Sequence, residues 1–294
     1  MSAFRFLCTL LALSICSFSF SQRFDDIKIT TIPVTNQIYM LKGAGGNIGV
    51  SIGDDGVFVI DDQFAPLTDK IQAAIKSLSK GDIKFLVNTH FHGDHTGGNE
   101  NMTKLGATII AHDNVHQRMS TTPKRDGSKQ PEAALPVITF NDKMSLFIND
   151  EKIGVFHIDN AHTDGDALLY FTKNNVLHTG DTYFKGRYPY IDLNSGGSVK
   201  GYIEAVKLGL KLSDEQTKII PGHGDISNRS EYEFFLKMLE DLEEAVQREI
   251  DSGKSEEEIV NNSAITKTYD DLNYGSGFIS SERIRRTFYL SLIN

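Results

Sequence analysis

The stretch NTHFHGDHTGGN, from Asn88 to Asn99, concentrates potential metal ligands in one short part of the sequence. It contains His90, His92, Asp94 and His95, although the whole chain of 294 residues has only nine histidines. Imidazole nitrogens and carboxylate oxygens are ligands that zinc-like cations accept. An isolated histidine is most often structural, whereas this crowding of ligand-type side chains predicts a metal site.

The residues around this stretch indicate how it is held. The apolar run Ile83–Val87 directly precedes it and is typical of a buried strand, while glycines within and after the motif allow the chain to curl. If the strand continued into the motif, His90, His92 and Asp94 would share one face, because side chains alternate along a strand. His95 would then point elsewhere, so we expect the run to aim ligands at two neighbouring points.

Three further ligand candidates lie where other predicted strands begin or end. His162 occurs in NAHTDGD, directly before a predicted strand, while Asp181 in LHTGDTYF and His223 in IIPGHGD each follow one. Loops at strand ends carry many binding and catalytic residues, because a rigid sheet positions them. We therefore expect these three side chains to complete the site that the first stretch begins.

Short apolar runs alternate with amphipathic stretches along the chain, which predicts an α/β fold. Two segments, NIGVSIGDDGVFVIDDQF and DALLYFTKNNVLHTGDTYF, both read as strand, turn, strand and aspartate, and a helical stretch follows each. This echo predicts two related halves that pack sheet against sheet. The best-defined strands are Ile83–Val87, Ala107–Ala111, Ile153–Ile158, Ala167–Phe171, Val176–His178 and Lys218–Ile220, and the best-defined helices are Pro66–Ser79, Gly201–Leu212, Glu231–Ile250 and Ser280–Leu292.

The N-terminal segment MSAFRFLCTLLALSICSFSFSQ has the features of a secretory signal. Arg5 precedes the apolar run Phe6–Phe20, and serines stand at the −3 and −1 positions of the expected cut. We predict a signal peptide over residues 1–21, a single mature domain over residues 22–294, and a secreted or periplasmic protein. A membrane anchor fits less well because the run is short for a span, and a lipoprotein cut at Cys16 fits less well because a bulky isoleucine precedes it.

Composition and charge restrict the chemistry and the partners of the mature protein. Cys8 and Cys16 both lie in the predicted signal, so the mature chain would lack disulfides, cysteine nucleophiles and thiolate metal ligands. The formal net charge of −9 and the lack of a basic run argue against a nucleic-acid partner. We expect a small-molecule substrate and no membrane span in the mature chain, and the sequence leaves the oligomeric state open.

The chain resembles the metallo-β-lactamase superfamily. The resemblance rests on THFHGDH, AHTDGD, TGDTYF and PGHGD, which occur in that family's order and approximate spacing across the mature chain. It implies a four-layer αββα sandwich of class α/β, in which two mixed β-sheets are flanked by helices. It also implies that His90, His92 and His162 hold a first metal ion. A second ion would be held by Asp94, His95 and His223, and Asp181 would bridge the two.

The resemblance further implies two zinc ions per chain, with iron or manganese as alternatives. Two divalent ions about 3.5–4 Å apart share a hydroxide, and metal binding lowers the pKa of water toward about 7. No serine or cysteine nucleophile is then required, and the GxSxG motif of serine hydrolases is absent. Asp94 is predicted to have a catalytic role as well, because it could orient the hydroxide or pass its proton to the leaving group.

The superfamily contains several classes of hydrolase and some iron oxygenases, so the fold leaves the reaction open. The missing cysteine excludes the lactamase subclass that has a cysteine ligand at the position of Asp181, and secretion argues against a glutathione thioester or a tRNA. The leading prediction is an exported hydrolase that opens a small-molecule cyclic amide or ester, a β-lactam or lactone, with β-lactam hydrolysis as a main or a side activity. The alternatives are a thioester, phosphodiester or sulfate-ester hydrolase, an iron-dependent oxygenase or redox protein, and a non-catalytic zinc-binding protein.

The segment Tyr183–Ser198 is predicted to overhang the site. Its side chains could bind a carboxylate or stack on a ring, but the same tyrosines could pack in the core while the charges are solvated. The residues concerned are Tyr183, Lys185, Arg187, Tyr188 and Tyr190.

The other histidines outside the proposed site have simpler interpretations. His112 and His116 flank a helix start and are predicted to be structural or on the surface, and His157 lies in a strand. His178 directly precedes the TGD turn, where it could orient a metal ligand.

Overall fold

The fold is described by a computed structural model that covers residues 24–123 and 127–293. The predicted signal peptide, residues 1–21, lies outside these described residues, and its removal stays a prediction. Within the described ranges the chain forms two β-sheets with helices on their outer faces. The division into a signal and one mature domain over residues 22–294 likewise stays a prediction.

The first sheet comes from the N-terminal half of the chain. The described residues give it seven strands, which lie side by side in chain order. The first four pair antiparallel and the fourth to seventh pair in parallel. The strands are β1 (Thr30–Pro33), β2 (Ile38–Lys42), β3 (Ile48–Gly53), β4 (Gly56–Ile60), β5 (Ile83–Val87), β6 (Thr108–His112) and β7 (Ile138–Phe140).

The second sheet follows it in the chain and has six strands within the described residues. These are β8 (Lys143–Ile148), β9 (Glu151–Ile158), β10 (Asp166–Phe171), β11 (Val176–His178), β12 (Lys218–Ile220) and β13 (Ser227–Asn228), and they also lie in chain order. The pair β11 and β12 is parallel, and the other neighbours are antiparallel. Both sheets are therefore mixed.

The α-helices lie between the strands and at the C-terminal end. They are α1 (Thr68–Leu78), α2 (Gly93–Thr96), α3 (Asn99–Lys104), α4 (Asp113–Thr121), α5 (Val199–Leu212), α6 (Arg229–Asp251), α7 (Glu256–Asn261), α8 (Lys267–Asp270) and α9 (Ser281–Leu292). The longest, α6, begins where the Asn228 side chain accepts a hydrogen bond from the Glu231 backbone N–H. It buries Phe235, Leu239 and Leu242 along one face, as helical spacing requires.

Three apolar clusters define four layers. The inner cluster joins the facing sides of the two sheets, for example through Phe58 and Phe171, whose rings meet edge to face at 6.1 Å. A second cluster packs α1 against the outer face of the first sheet, and a third packs α5, α6 and α9 against the outer face of the second. The predicted αββα sandwich of two mixed sheets is confirmed.

Most predicted elements lie within two residues of their observed positions. Val176–His178 and Lys218–Ile220 are strands with those bounds, and the predicted helix Gly201–Leu212 begins at Val199. The short edge strands β7 and β13 were not predicted, because three and two residues are too few to show an alternating pattern.

One local expectation is wrong. The strand does not continue into the motif, because β5 ends at Val87 and α2 begins at Gly93. Asp94 therefore does not share a strand face with His90 and His92, and it projects from a helical turn beside His95. The curl that the glycines allow takes place inside the motif.

The loops that carry the motifs meet at one edge of the sandwich. His90 and His92 follow β5, His162 lies between β9 and β10, Asp181 follows β11, and His223 follows β12. This convergence brings together side chains from both sheets. Among the described residues, no helix has the length and apolar character that crossing a membrane requires.

Candidate metal centre

The first group of predicted ligands comes together at this edge. His90, His92, His162 and Asp181 each offer an atom within 4.8 Å of the others. His92 Nδ1 lies 2.9 Å from His162 Nε2. Asp181 Oδ2 lies 3.6 Å from His162 Nε2 and 3.8 Å from His90 Nε2. Three imidazoles and a carboxylate therefore converge on one point.

The second group lies directly beside the first. Asp94, His95 and His223 also offer atoms within 4.8 Å of one another. His223 Nε2 lies 3.4 Å from Asp94 Oδ2, and His95 Nε2 lies 3.7 Å from the same oxygen. The structure thus brings together all seven residues that the sequence singled out as metal ligands.

Asp181 stands between the two groups and faces each with a different oxygen. Its Oδ2 faces His90 and His162, while its Oδ1 lies 3.1 Å from His95 Nε2 and 3.4 Å from His223 Nε2. The carboxylate is buried. This is the arrangement that a residue shared by two cations requires.

Several ligand atoms lack hydrogen bonds inside the protein. His90 Nε2, His95 Nε2 and Asp181 Oδ1 are buried, and none forms a hydrogen bond with a described residue. Leaving a buried polar atom unpaired costs about 1–3 kcal/mol. A set of buried nitrogen and oxygen atoms that point at one another without bonding fits divalent cations, and zinc in particular accepts this donor set.

The electrostatics of the second group also favour positive charge. Burial lowers the pKa of His95, but the Asp181 and Asp94 carboxylates outweigh that effect and hold it well above the usual value. Burial likewise opposes protonation of His223, yet Asp181 raises its pKa to about 9. The buried carboxylate of Asp181 and the half-buried carboxylate of Asp94 therefore favour positive charge at this point, which a bound cation would also supply.

The first group has the opposite balance. Burial, followed by the nearby His95, holds the pKa of His90 well below its usual value. Burial also lowers the pKa of His162, although Asp181 opposes the effect. These imidazoles are therefore neutral at pH 7, which leaves a lone pair available for a cation.

Asp61 supports ligands of both groups, and sequence reasoning did not assign it. Asp61 Oδ2 is 2.7 Å from His95 Nδ1 and accepts a 2.8 Å hydrogen bond from the Thr89 hydroxyl. That hydroxyl also lies 3.1 Å from His90 Nδ1. Asp61 is the aspartate that follows the second strand in the first echoing segment, and Asp181 has the same place in the second segment. The echo could therefore have pointed to Asp61.

A second carboxylate holds the first group from the other side. Asp192 Oδ2 lies 3.1 Å from His92 Nε2, and the Tyr190 carbonyl oxygen lies 2.7 Å from His162 Nδ1. Each partner favours a proton on the outer nitrogen, which leaves the inner nitrogen of each ring as an acceptor. No sequence pattern marked Asp192, which lies in an irregular segment.

A cavity of about 540 Å³ opens onto the second group; we call it the aromatic cavity. Its floor includes Asp94, Asp181 and His223. Its walls include an arginine and five aromatic rings, namely Arg187, Phe64, Phe184, Tyr188, Tyr190 and Phe278. A small molecule with an apolar part would fit such a space beside the ligands.

The structure assigns different positions to the residues that could overhang the site. Tyr183 is buried and its hydroxyl contacts Ser227, so it belongs to the core. Lys185 binds Glu231 at 2.7 Å. Arg187 lines the aromatic cavity and forms no ion pair with any described residue. Sequence alone could not separate Lys185, which forms an ion pair, from Arg187, which lines the cavity.

The two other tyrosines of that segment line the aromatic cavity. Tyr188 is buried and its hydroxyl donates to Asp270 at 2.8 Å, so it mainly supports the wall. Tyr190 lies 5.9 Å from the His92 ring in a stacked orientation and is only partly buried. The guanidinium carbon of Arg283 lies 5.2 Å from the centroid of the Tyr190 ring.

The histidines outside the two ligand groups make structural contacts, and one of them, His178, lies beside Asp181. His112 stacks on His157 at 3.6 Å, and His116 lies 2.8 Å from the Pro136 carbonyl. His178 Nδ1 accepts a hydrogen bond from the Gly180 backbone N–H, next to Asp181. Burial lowers the pKa of His178 to about 4, so it holds this turn as a neutral side chain.

The comparison with protein families decides the assignment of the fold. Residues 42–225 match the sequence model of the metallo-beta-lactamase superfamily, which is more than half of the chain. The chain belongs to the metallo-β-lactamase superfamily. The resemblance that the motifs suggested is confirmed, and the matched range contains all the ligand candidates of this superfamily member.

Solved structures share the fold at low sequence identity. A metallo-beta-lactamase from Pontibacter korlensis superposes with a TM-score of 0.62 and 17% identity, over 72% of this chain and 99% of that one. A sec-alkylsulfatase from a Pseudomonas species superposes with a TM-score of 0.68 and 15% identity, over 92% of this chain and 50% of that one. At such identities the likeness shows the superfamily fold alone.

Among curated proteins, the hydroxyacylglutathione hydrolase of Pelagibacter ubique is 29% identical over 154 residues. That alignment covers 51% of this chain and 55% of the relative. The chain therefore spans about half the length of the curated relatives it matches.

Proposed function

We propose that this chain is a metal-dependent hydrolase that holds two zinc ions, with iron or manganese as alternatives. The ligands would be His90, His92 and His162 for one ion, Asp94, His95 and His223 for the other, and Asp181 for both. When bound, the ions would supply an activated water and polarise the bond to be cleaved. Side chains of this protein would bind the substrate and transfer the proton.

The observation that carries the proposal is the orientation of the Asp181 carboxylate. One of its oxygens faces His162 at 3.6 Å and the other faces His95 at 3.1 Å. The carboxylate is buried and its Oδ1 forms no hydrogen bond with a described residue, which supports a role as a shared ligand. A structural aspartate would be satisfied by hydrogen bonds from the protein.

Asp94 is proposed to move a proton as well as to bind metal. It lines the aromatic cavity, and its side chain is partly exposed there. Burial raises its pKa, but His95 and His223 outweigh that effect and lower it, so the carboxylate is ionised at neutral pH. It would therefore accept a proton from the attacking water and deliver it to the leaving atom.

The leading substrate class is a small-molecule cyclic amide or ester, such as a β-lactam or lactone. The aromatic cavity supports this proposal because its walls are mainly apolar while Arg187, which forms no ion pair with a described residue, offers a positive charge. The hydrolysis adds one water and breaks the bond between the carbonyl carbon and the ring heteroatom, so that the carbonyl carbon becomes a carboxylic acid and the heteroatom becomes an amine or a hydroxyl. We propose that β-lactam opening is a main or a side activity.

A thioester is the second candidate. It is favoured by curated relatives from Pelagibacter ubique and Prochlorococcus marinus, which are named hydroxyacylglutathione hydrolases and are 29% identical over about half of this chain. The same site residues would serve, because a thioester is cleaved at the same kind of carbonyl. The leaving atom would then be sulfur, and Asp94 would return its proton to a thiolate.

A substrate panel on zinc-loaded protein tests these proposals. The panel should contain a chromogenic β-lactam, a neutral lactone, an acyl thioester, a phosphodiester and a sulfate ester, each assayed with wild-type protein and with Asp181→Ala. We expect ring opening of the lactam or lactone, a zinc content near two per chain, and loss of both in the variant. Thioester cleavage alone would select the second candidate, and no cleavage of any substrate would contradict the hydrolase proposal.

A further inference from the structure

The aromatic cavity has a neighbour on the other side of the metal-binding loop. A second cavity of about 410 Å³, which we call the lateral cavity, is lined by Phe91, Thr96, Asn101, Thr122 and Gln130 among others. Both cavities are lined by His92 and Gly93, so they adjoin at these two residues. A substrate bound over the second ligand group could therefore extend across the loop.

Gly93 is the point at which the two cavities meet. A Cβ atom built on Gly93 would have no atom within 4 Å, so its missing side chain leaves open space. The residue begins α2, and its φ is not in the left-handed region that favours glycine. The backbone conformation therefore does not require a glycine here, and the open space beside its Cα lies where the two cavities adjoin.

The chemistry of the two cavities differs. The aromatic cavity has five aromatic side chains, whereas Phe91 is the one aromatic residue among those that line the lateral cavity. The lateral cavity instead includes the amide and hydroxyl side chains of Asn101, Thr122 and Gln130. An apolar group suits the first cavity and a group that forms hydrogen bonds suits the second.

We propose that the natural substrates are acyl compounds with two arms on either side of the scissile carbonyl. An apolar, ring-containing arm lies in the aromatic cavity, and a polar arm crosses Gly93 into the lateral cavity. For a cyclic substrate the arms are substituents of the ring. The reaction in this inference rests on the proposed function. The assignment of an apolar arm and a polar arm rests on the side chains that line the two cavities.

Equilibrium binding tests the inference without requiring turnover. The probes are N-phenylacetyl-seryl-glycinamide, which has both arms around an unreactive amide, and its halves N-methyl-phenylacetamide and N-acetyl-seryl-glycinamide. Calorimetry on the zinc-loaded protein should show that the two-arm probe binds at least about tenfold more tightly than either half, because a linked second arm binds at high effective concentration. Equal affinities for the two-arm probe and its tighter half would overturn the proposal.

Gly93→Leu places a branched side chain at the junction and should reduce that affinity ratio to about one. The ratio compares probes within one protein, so a general weakening of the site cancels. Ser77→Leu adds the same side chain on the exposed face of α1, lines neither cavity, and should retain the wild-type ratio. A wild-type ratio in Gly93→Leu would contradict the proposal.

A second variant covers the case in which Gly93→Leu fails to fold or to bind zinc. Gln130→Ala removes an amide from the lateral cavity and should lower the ratio by about threefold or more. Kinetics provide a parallel test, with the phenylacetate ester of N-acetyl-seryl-glycinamide compared with methyl phenylacetate. Absence of hydrolysis with a retained binding ratio would count against the proposed function alone, whereas hydrolysis without any two-arm preference would count against this inference alone.

Discussion

Asp61 and His95 form a 2.7 Å contact between Oδ2 and Nδ1 that is completely shielded from solvent. The same carboxylate binds the backbone N–H and the hydroxyl of Thr89, each at 2.8 Å. Since Thr89 in turn contacts His90, one buried aspartate orients an imidazole from each ligand group. Asp61 itself has a φ of 61°, in a region that few residues other than glycine adopt. The surrounding contacts therefore stabilise a backbone conformation that is locally unfavourable.

Asp61→Asn should weaken zinc binding by about 10–100-fold, because a partner that orients ligands typically has an effect of this size. The substitution retains the side-chain volume but removes the charge that favours a proton on His95 Nδ1. Competition with a chelator would measure the affinity, and Asp69→Asn, on the exposed first turn of α1, is the matched control. Equal affinities for wild type and Asp61→Asn would show that the contact does not orient the ligand.

Asp94→Asn should lower kcat by at least about 100-fold at saturating zinc, since it removes the group that moves the proton. KM should change less, because the residue would act mainly in the transition state. Metal analysis of the same samples separates the loss of a ligand from the loss of a proton carrier. A variant that retains two zinc ions and full turnover would rule out the catalytic role of Asp94.

Arg187→Ala should discriminate between substrates that differ only in charge. We expect kcat/KM for a β-lactam with a free carboxylate to fall by about 10–100-fold, since a charge-assisted hydrogen bond contributes about 1.5–3 kcal/mol. The methyl ester of the same lactam should change by less than about twofold, because it carries no charge for the guanidinium. Arg248→Ala removes an arginine from the exposed surface of α6 and is the control. An equal loss for acid and ester would exclude charge recognition by Arg187.

The metal-free protein should become less stable as the pH rises from about 6.5 to about 9. Burial opposes protonation of His223, but Asp181 raises its folded-state pKa to about 9, above the unfolded value of 6.5. The stabilising proton is present in full below the unfolded pKa and is lost as the pH rises through the folded pKa. His95, whose pKa is also raised, acts in the same direction. The free energy of unfolding in urea should fall by an amount on the order of 2 kcal/mol.

Zinc binding should show the opposite dependence in the same pH interval. The ion must displace the protons from these imidazoles, so its affinity should increase as the pH rises. Stability of the metal-free protein that is constant, or that increases, between these pH values would contradict the charge balance described for the second ligand group.

Export is proposed from the N-terminal sequence alone. Expression of the full-length chain in a bacterium should yield a mature protein that begins at Gln22, because the apolar segment has the length and the flanking residues of a cleaved signal. Intact-mass measurement of the periplasmic or secreted fraction would check the cut. Arg5→Glu, which removes the positive charge before the apolar segment, should reduce export, and an uncleaved cytoplasmic product from the wild-type sequence would contradict the proposal.

The order of strands and helices was predictable because it depends on local periodicity. The strands that carry the site, such as β5 and β11, are apolar runs bounded by polar turns, and α6 has a continuous apolar stripe. The course of the chain from His90 to Asp94 was not predictable from alternation, since a single helical turn replaces the strand there. The one glycine and the aspartate of this stretch are compatible with either course.

The residues that orient the ligands were beyond local reasoning for a different reason. Asp61 contacts His95 across 34 positions of the chain, and Asp192 contacts His92 across 100. Neither carboxylate belongs to a motif with its partner: the pairing of β4 with β5 in the first sheet brings Asp61 to His95, and the packing of the two sheets brings Asp192 to His92. Lys185 and Arg187 were equivalent in sequence, and the ion pair with Glu231 distinguishes them.

The sequence by itself determined which side chains are available to bind cations and in which elements they lie, because ligand chemistry belongs to single residues and periodicity belongs to short segments. The tertiary structure alone decided which oxygen of Asp181 faces which histidines, that Lys185 forms an ion pair whereas Arg187 forms none with a described residue, and that two cavities meet at Gly93. These features depend on how segments far apart in the chain pack at one edge of the sandwich. No local pattern carries that information.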